Sequence, residues 1–247
     1  MSEDGPVLKP VDAWWTVVLI DPVAVRLARA LVPVGRVRPS HLTVVAHLLG
    51  LVSAVLLAGG HLLPAAVAFE VRFVLDCADG KLARLRGTSS AAGAYLDYVG
   101  DYLVTGSAMV GLGIWLVEVD AGPAAIALAL PAAFLASIAA GQAANREVAA
   151  AGAALPLTAD AMPGGYRRWM AARRLKPLPS RIEAEHGLLF VAPVAAVVLG
   201  DDRWLARAAA VGVAYFGYEA LHLARSGWKV AVGADRARPA GGPPPPG

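Results

Sequence analysis

Four carboxylates stand out because each interrupts otherwise apolar sequence: Asp76, Asp79, Asp97 and Asp101. A charged Asp at the centre of a membrane span costs about 3 kcal/mol, so such residues are rare and face a cavity, a partner or a bound ion. Helical spacing groups them. Asp76, Asp79, Gly80 and Ala83 fall on one face, with Arg84 beside it, and Gly93, Asp97 and Asp101 recur every four residues further on. The two stripes are expected to face each other across a short turn, Leu85 to Ala92. Gly87-Thr88-Ser89-Ser90 breaks the helix there, and Ser89 or Ser90 is placed to cap the second one.

Oxygen ligands without His or Cys suit Mg²⁺ or Mn²⁺ rather than Zn²⁺. Four carboxylates carry the charge that two divalent ions would neutralise, and metals ~3.5–4 Å apart are a recurring device of phosphoryl chemistry. Gly80, Ala83 and Gly93 leave room for a bulky group against the backbone. Arg84 supplies a planar donor fork suited to phosphate. The set reads as a dimetal pyrophosphate site. The plainer alternative is structural, with Asp76 or Asp79 pairing with Arg72, Lys81 or Arg84.

The surrounding elements decide where such a site would sit. Of 247 residues, 57% are hydrophobic, and the mean hydropathy is +0.56. Long Ala, Val and Leu runs at that level indicate a multi-span membrane protein. The single Cys77 excludes an internal disulfide framework. Met1 to Pro10 is polar and acidic, so no cleavable secretory signal is apparent and this segment is expected to be disordered.

Residues 11–38 are amphipathic. Trp14 and Trp15 open the stretch, and Arg26, Arg29, Arg36 and Arg38 follow, which describes a helix lying at the membrane surface. Six spans are expected after it: Pro39 to about Ala58, Leu62 to Arg84, Gly93 to Val117, Pro123 to Asn145, His186 to Leu199, and Trp204 to Ala224. The fifth is shorter than the ~17–25 residues of a span, so it must extend into the flanking polar segment. Pro131 is placed to kink the fourth, and Ser40 to cap the first. Glu70 and Arg72, two apart, do not face one another along a helix.

Between Arg146 and Glu185 runs a basic connection with Tyr166, Trp169 and Met170 interleaved, consistent with a short surface helix. The fold class is therefore an all-α integral membrane protein, six transmembrane helices preceded by an interfacial amphipathic helix. Its units are 1–10, 11–38, a membrane domain 39–225 and a Gly/Pro-rich tail 226–247. Basic residues collect before span one, between spans two and three, between four and five, and after six. Under the positive-inside rule both termini and the acidic site face the cytoplasm.

The spacing D-x2-D-G-x2-A-R-x8-G-x3-D-x3-D, met here at every fixed position from Asp76 to Asp101, resembles the signature of the CDP-alcohol phosphotransferases. These are integral membrane enzymes of phospholipid synthesis. The resemblance implies transfer of a phosphatidyl or related substituted phosphoryl group from a CDP-linked donor, such as CDP-diacylglycerol, to an alcohol, with release of CMP. It assigns Asp76, Asp79, Asp97 and Asp101 to two Mg²⁺ or Mn²⁺ ions and makes Asp101 the general base. It places Gly80, Ala83, Arg84 and Gly93 at the nucleotide, and Pro39 and Thr43 near its cytidine. Arg146 and Arg181 are candidates for a phosphate on the acceptor. A homodimer in a bacterial cell membrane, contacting lipids and no nucleic acid, completes the expectation.

Two rivals share the acidic pairs. Membrane aromatic prenyltransferases bind isoprenyl pyrophosphate through Mg²⁺, but their two motifs usually lie in separated halves of a larger bundle. A cation or proton transporter also places carboxylates in the membrane, and here it lacks convincing repeats or paired broken helices.

Overall fold

A computed structural model describes residues 7–152 and 162–237. Among them every regular element is helical. A π-turn, Thr16–Ile20, leads into α1, Asp21–Leu31, with Pro22 in the first turn where its missing N–H costs nothing. Helix α2 is Pro39–Ala58, α3 is Leu62–Arg86, α4 is Ala91–Glu118 and α5 is Ala124–Ala151. The short α6, Gly164–Ala171, follows. Helix α7, Arg181–His186, runs through a π-turn, Gly187–Val191, into α8, Ala192–Leu199, and α9 is Arg203–Ala237.

Among the described residues four stretches are long and apolar enough to cross a membrane: Pro39–Ala58, Ala91–Glu118, Ala124–Ala151 and Arg181–Leu199. Their outward faces are apolar, with Val55 72% exposed, Leu128 75% and Val198 77%. Water would not tolerate such faces, and lipid does. The chain is an integral membrane protein. Helices α3 and α9 have the length of a span, but Glu70, Arg72, Asp76, Asp79 and Lys81 interrupt the apolar run of α3. Four spans, not six, thus meet the criterion of composition. The fifth expected span does extend backward, starting at Arg181.

The core joins Phe69 of α3, Leu112 of α4, Leu130 and Phe134 of α5, Leu189 of the π-turn, and Leu205 and Phe216 of α9. Phe134 and Phe216 meet edge to face at 5.3 Å. A second cluster, Ile20, Ala24, Phe73 and Ala78, seats α1 on α3. Helices α2 and α4 cross closely because glycines line their seam. A Cβ on Gly50 would overlap Val104, and one on Gly111 would overlap the Ala54 carbonyl.

Several expectations need correction. Helix α2 begins at Pro39 with Arg38 extended before it, so Ser40 lies inside the first turn and is not the cap. Helix α9 runs to Ala237, beyond the expected end at Ala224, because Gly227 lets it lie against Ala144 of α5. Residues 7–10 are not loose: Val7 is 2% exposed and its carbonyl accepts from Arg84 Nε at 3.0 Å. The basic connection does contain a short helix, α6, with Trp169 exposed and Met170 buried. Gly241 to Gly247 lies outside the described residues.

Candidate metal and phosphate site

The site is built by the α3–α4 hairpin. Helix α3 stops at Gly87, whose φ of 64° is the left-handed value that favours glycine. Helix α4 starts with Ser90 as cap, its hydroxyl accepting from Gly93 N at 3.1 Å. This turn sets Asp76 and Asp79 against Asp97 and Asp101, and Asp76 lies within electrostatic reach of the other three.

None of the cations Arg72, Lys81 and Arg84 forms an ion pair with Asp76 or Asp79, which argues against the structural alternative. Lys81 Nζ pairs with Asp21 Oδ1 of α1 at 2.8 Å, both side chains buried. Arg84 is held by Val7. Arg72, buried between Phe69 and Phe73, pairs with Asp101 Oδ1 at 2.5 Å. Among the described residues no salt bridge reaches Asp76 or Asp79.

Asp76 and Asp97 are drawn together, with His47 of α2 as a third member, and one ligating atom from each lies within 4.8 Å of the others. Oδ1 of Asp76, Oδ1 of Asp97 and Nε2 of His47 are shut off from solvent without a hydrogen-bond partner among the described residues. Unsatisfied polar atoms of this kind cost about 1–3 kcal/mol each. Three residues that each carry an unpartnered polar atom, with a ligating atom of each within 4.8 Å of the others, fit a divalent cation.

The other two carboxylates are held differently. The Thr43 hydroxyl donates to Asp79 Oδ2, so Thr43 holds one of the carboxylates in place. Pro39, one turn earlier, has its carbonyl 3.3 Å from the same hydroxyl. Asp101 is held by Arg72, with its side chain 38% exposed. Gly80, Ala83 and Gly93 follow along the same hairpin, and Arg84 is exposed beside them. A Cβ on Gly80 would meet only the Arg84 guanidinium, at 3.5 Å.

The two acceptor candidates part company. Arg181 Nη2 donates to the hydroxyl of Tyr102, next to Asp101, at 3.1 Å, and Arg181 Nε faces Glu185 at 3.8 Å. Arg146 is exposed near the C-terminal end of α5. Glu70 meets Trp15 Nε1 at 2.9 Å and His186 Nε2 at 3.6 Å, and so braces the N-terminal segment and α7 against α3.

His47 and Arg72 are the members that sequence reasoning missed. His47 lies one turn after Thr43 on the same face of α2, which is a signal only once α2 is known to pack on this hairpin.

A helical membrane bundle that converges carboxylates on a cation-sized gap, beside a glycine-lined strip, defines a class of metal-assisted phosphotransferases. The chain belongs to the CDP-alcohol phosphatidyltransferase family, which it matches over residues 36–215, and it is a phosphotransferase of phospholipid synthesis. Its fold is similar to that of the Mycobacterium tuberculosis phosphatidylinositol phosphate synthase. With CDP-DAG bound, that structure superposes with a TM-score of 0.58 at 20% identity, covering 84% of this chain and 94% of the other. The complex of the same enzyme with manganese and citrate gives 0.53 at 21% identity, covering 85% and 88%. A search of curated protein sequences returns no match.

Proposed function

We propose that this enzyme moves a phosphatidyl, or related substituted phosphoryl, group from a CDP-linked donor such as CDP-diacylglycerol to an alcohol acceptor and releases CMP. The observation that carries the reading is the hairpin that brings four carboxylates to one region, with Lys81 and Arg84 occupied elsewhere and Arg72 paired to Asp101 alone. One structural neighbour with CDP-DAG bound and another with manganese support a CDP-linked donor and a divalent ion, Mg²⁺ or Mn²⁺.

Asp76, Asp79 and Asp97 would hold the ions, the pair expected from four acidic groups, with Asp101 at their margin. Bound there, divalent cations neutralise charge on the pyrophosphate oxygens and on the leaving CMP. The glycine strip of Gly80, Ala83 and Gly93 admits the nucleotide close to the backbone, Arg84 binds a donor phosphate, and Pro39 and Thr43 border the cytidine. Asp101 takes the proton of the acceptor hydroxyl as its oxygen attacks the β-phosphorus. A new P–O bond to the acceptor forms while the bond to CMP breaks. Arg72 fixes Asp101 through Oδ1, and the partial exposure of the side chain lets a hydroxyl reach the carboxylate. Arg181, through its place beside Tyr102, is the stronger of the two acceptor-phosphate candidates, with Arg146 the other.

The same reading puts α3 and α9 in the membrane, making six spans over 39–225. Residues 11–38 lie at its surface, 226–247 follow as a cytoplasmic extension, and the site faces the cytoplasm of a bacterial cell membrane. In α3 the buried Arg72 and Lys81 are paired with Asp101 and Asp21, which lowers the cost of a polar span. Small-residue faces on the helices support a homodimer. Purified protein incubated with CDP-diacylglycerol, divalent metal and a panel of alcohols and polyol phosphates, with products read by mass spectrometry, tests the reading. Metal-dependent CMP release with a phosphatidyl product is expected, and its absence with every acceptor refutes it.

A further inference from the structure

We infer that His47 is a metal ligand of this enzyme, binding through Nε2 alongside Asp76 and Asp97, and that it biases the site toward Mn²⁺ over Mg²⁺. The inference rests on the metal-dependent transferase reading and adds a nitrogen donor that the acidic motif does not contain.

Three observations carry it. The first is proximity, since one ligating atom of His47 lies within 4.8 Å of one from Asp76 and one from Asp97. The second is that Nε2 of His47, like the facing oxygens of the two carboxylates, is buried without a hydrogen-bond partner among the described residues. An imidazole packed here for structural reasons would donate to one of those oxygens. Here the Nε2 atom has no such partner although a ligating atom of each carboxylate lies within 4.8 Å of one from the ring, a spacing that a shared cation would bridge.

The third observation is a cradle in α4. Gly100, between Asp97 and Asp101, has the His47 ring against its Cα, and a Cβ there would overlap Cε1, Nε2 and Nδ1 of the ring. The imidazole can approach the α3–α4 hairpin only because this position lacks a side chain. Gly50, one turn after His47, also removes bulk from the α2–α4 seam. The packing therefore brings His47 to the carboxylates instead of leaving it on the lipid-facing side of α2, where Val44, Leu48 and Val55 lie.

The chemistry follows from the donor set. Carboxylates and water alone hold Mg²⁺ well, whereas imidazole is a softer donor that favours first-row transition cations over Mg²⁺. A His-Asp-Asp set thus discriminates between two ions that an all-carboxylate set treats more alike.

The test uses full-length protein in detergent with Mn²⁺ as the probe. Pulsed EPR of the wild-type protein should show the nitrogen coupling of a directly bound imidazole, and labelling histidine with ¹⁵N should change that coupling. His47→Ala should abolish it and weaken Mn²⁺ binding by about tenfold or more, read from the EPR signal of free Mn²⁺, while Mg²⁺ competition changes less. Gly100→Ala keeps the histidine but displaces its ring, and should lose the coupling too. Bound Mn²⁺ without imidazole coupling in the wild-type protein overturns the ligand assignment and leaves the transferase reading standing. A protein that binds no Mn²⁺ at all overturns both.

Discussion

Arg72 Nη1 of α3 lies 2.5 Å from Asp101 Oδ1 of α4, tying the buried flank of the hairpin to the carboxylate that would act as base. The pair is asymmetric. The Arg72 side chain is 2% exposed and that of Asp101 38%, so one end is locked in the bundle and the other reaches toward the site.

That asymmetry separates catalysis from folding. Asp101→Asn keeps an oxygen to accept from Arg72 but loses the proton acceptor. Turnover should fall by about 10²- to 10⁴-fold, while binding of the CDP-linked donor, measured by calorimetry, stays close to that of the wild-type protein. Equal loss of binding and turnover would show that Asp101 holds the donor instead of taking the proton.

Removing the pair from either side should give unequal losses of stability. Asp101→Ala leaves the buried Arg72 guanidinium without its hydrogen-bonded carboxylate, with only Asp76 and Glu185 still in electrostatic reach, and should cost about 1–3 kcal/mol. Arg72→Met leaves a carboxylate that solvent can reach, so the loss should be smaller. The double variant should recover part of the Asp101→Ala loss. Thermal unfolding in detergent gives the order, and a larger loss for Arg72→Met would contradict it.

Asp21 presents a similar contrast at the base of α3. Its Oδ1 meets Lys81 at 2.8 Å and its Oδ2 meets Arg174 at 2.9 Å. Asp21→Ala leaves Lys81, with a side chain only 6% exposed, without its carboxylate, and should destabilise by about 3–5 kcal/mol. Lys81→Met preserves the Arg174 contact and should cost less. Matching melting temperatures for the two variants would show that the second contact adds nothing.

Much of this site was legible in the sequence because its signals are local. The hairpin follows from two helical stripes on either side of a Gly-Ser turn, and Ser90 does cap α4. What escaped depends on contacts between distant elements. Nothing near His47 marks it, since its acidic neighbours come from α3 and α4. The partner of Arg72 lies on α4 and that of Arg84 near the N-terminus. The end of α9 differs from the expected span end at Ala224 for a related reason: the missing Cβ of Gly227 admits Ala144 of the distant α5, and the helix continues. Hydropathy alone likewise undervalues α3, whose buried cations Arg72 and Lys81 find carboxylates on α4 and α1.

The grouping of three residues with unsatisfied atoms predicts metal-linked stability. Mn²⁺ at about a hundred times its dissociation constant should add about 2.7 kcal/mol, raising the melting temperature of the detergent-solubilised protein, and EDTA should reverse the rise. Asp76→Asn should remove most of it. A shift of full size in that variant would place the ion elsewhere.

The glycine strip makes a sharper demand, because its prediction differs from that for a packing glycine. At Gly111 an added Cβ would overlap the Ala54 backbone carbonyl, which cannot swing aside. Gly111→Ala should therefore destabilise by about 1–3 kcal/mol. At Gly80 a Cβ meets only the mobile end of Arg84 at 3.5 Å, so Gly80→Ala should melt with the wild-type protein. Gly80→Leu projects further into the space assigned to the nucleotide. It should raise the donor KM strongly while the melting temperature holds, and full activity in this variant would mean that the donor approaches from another face.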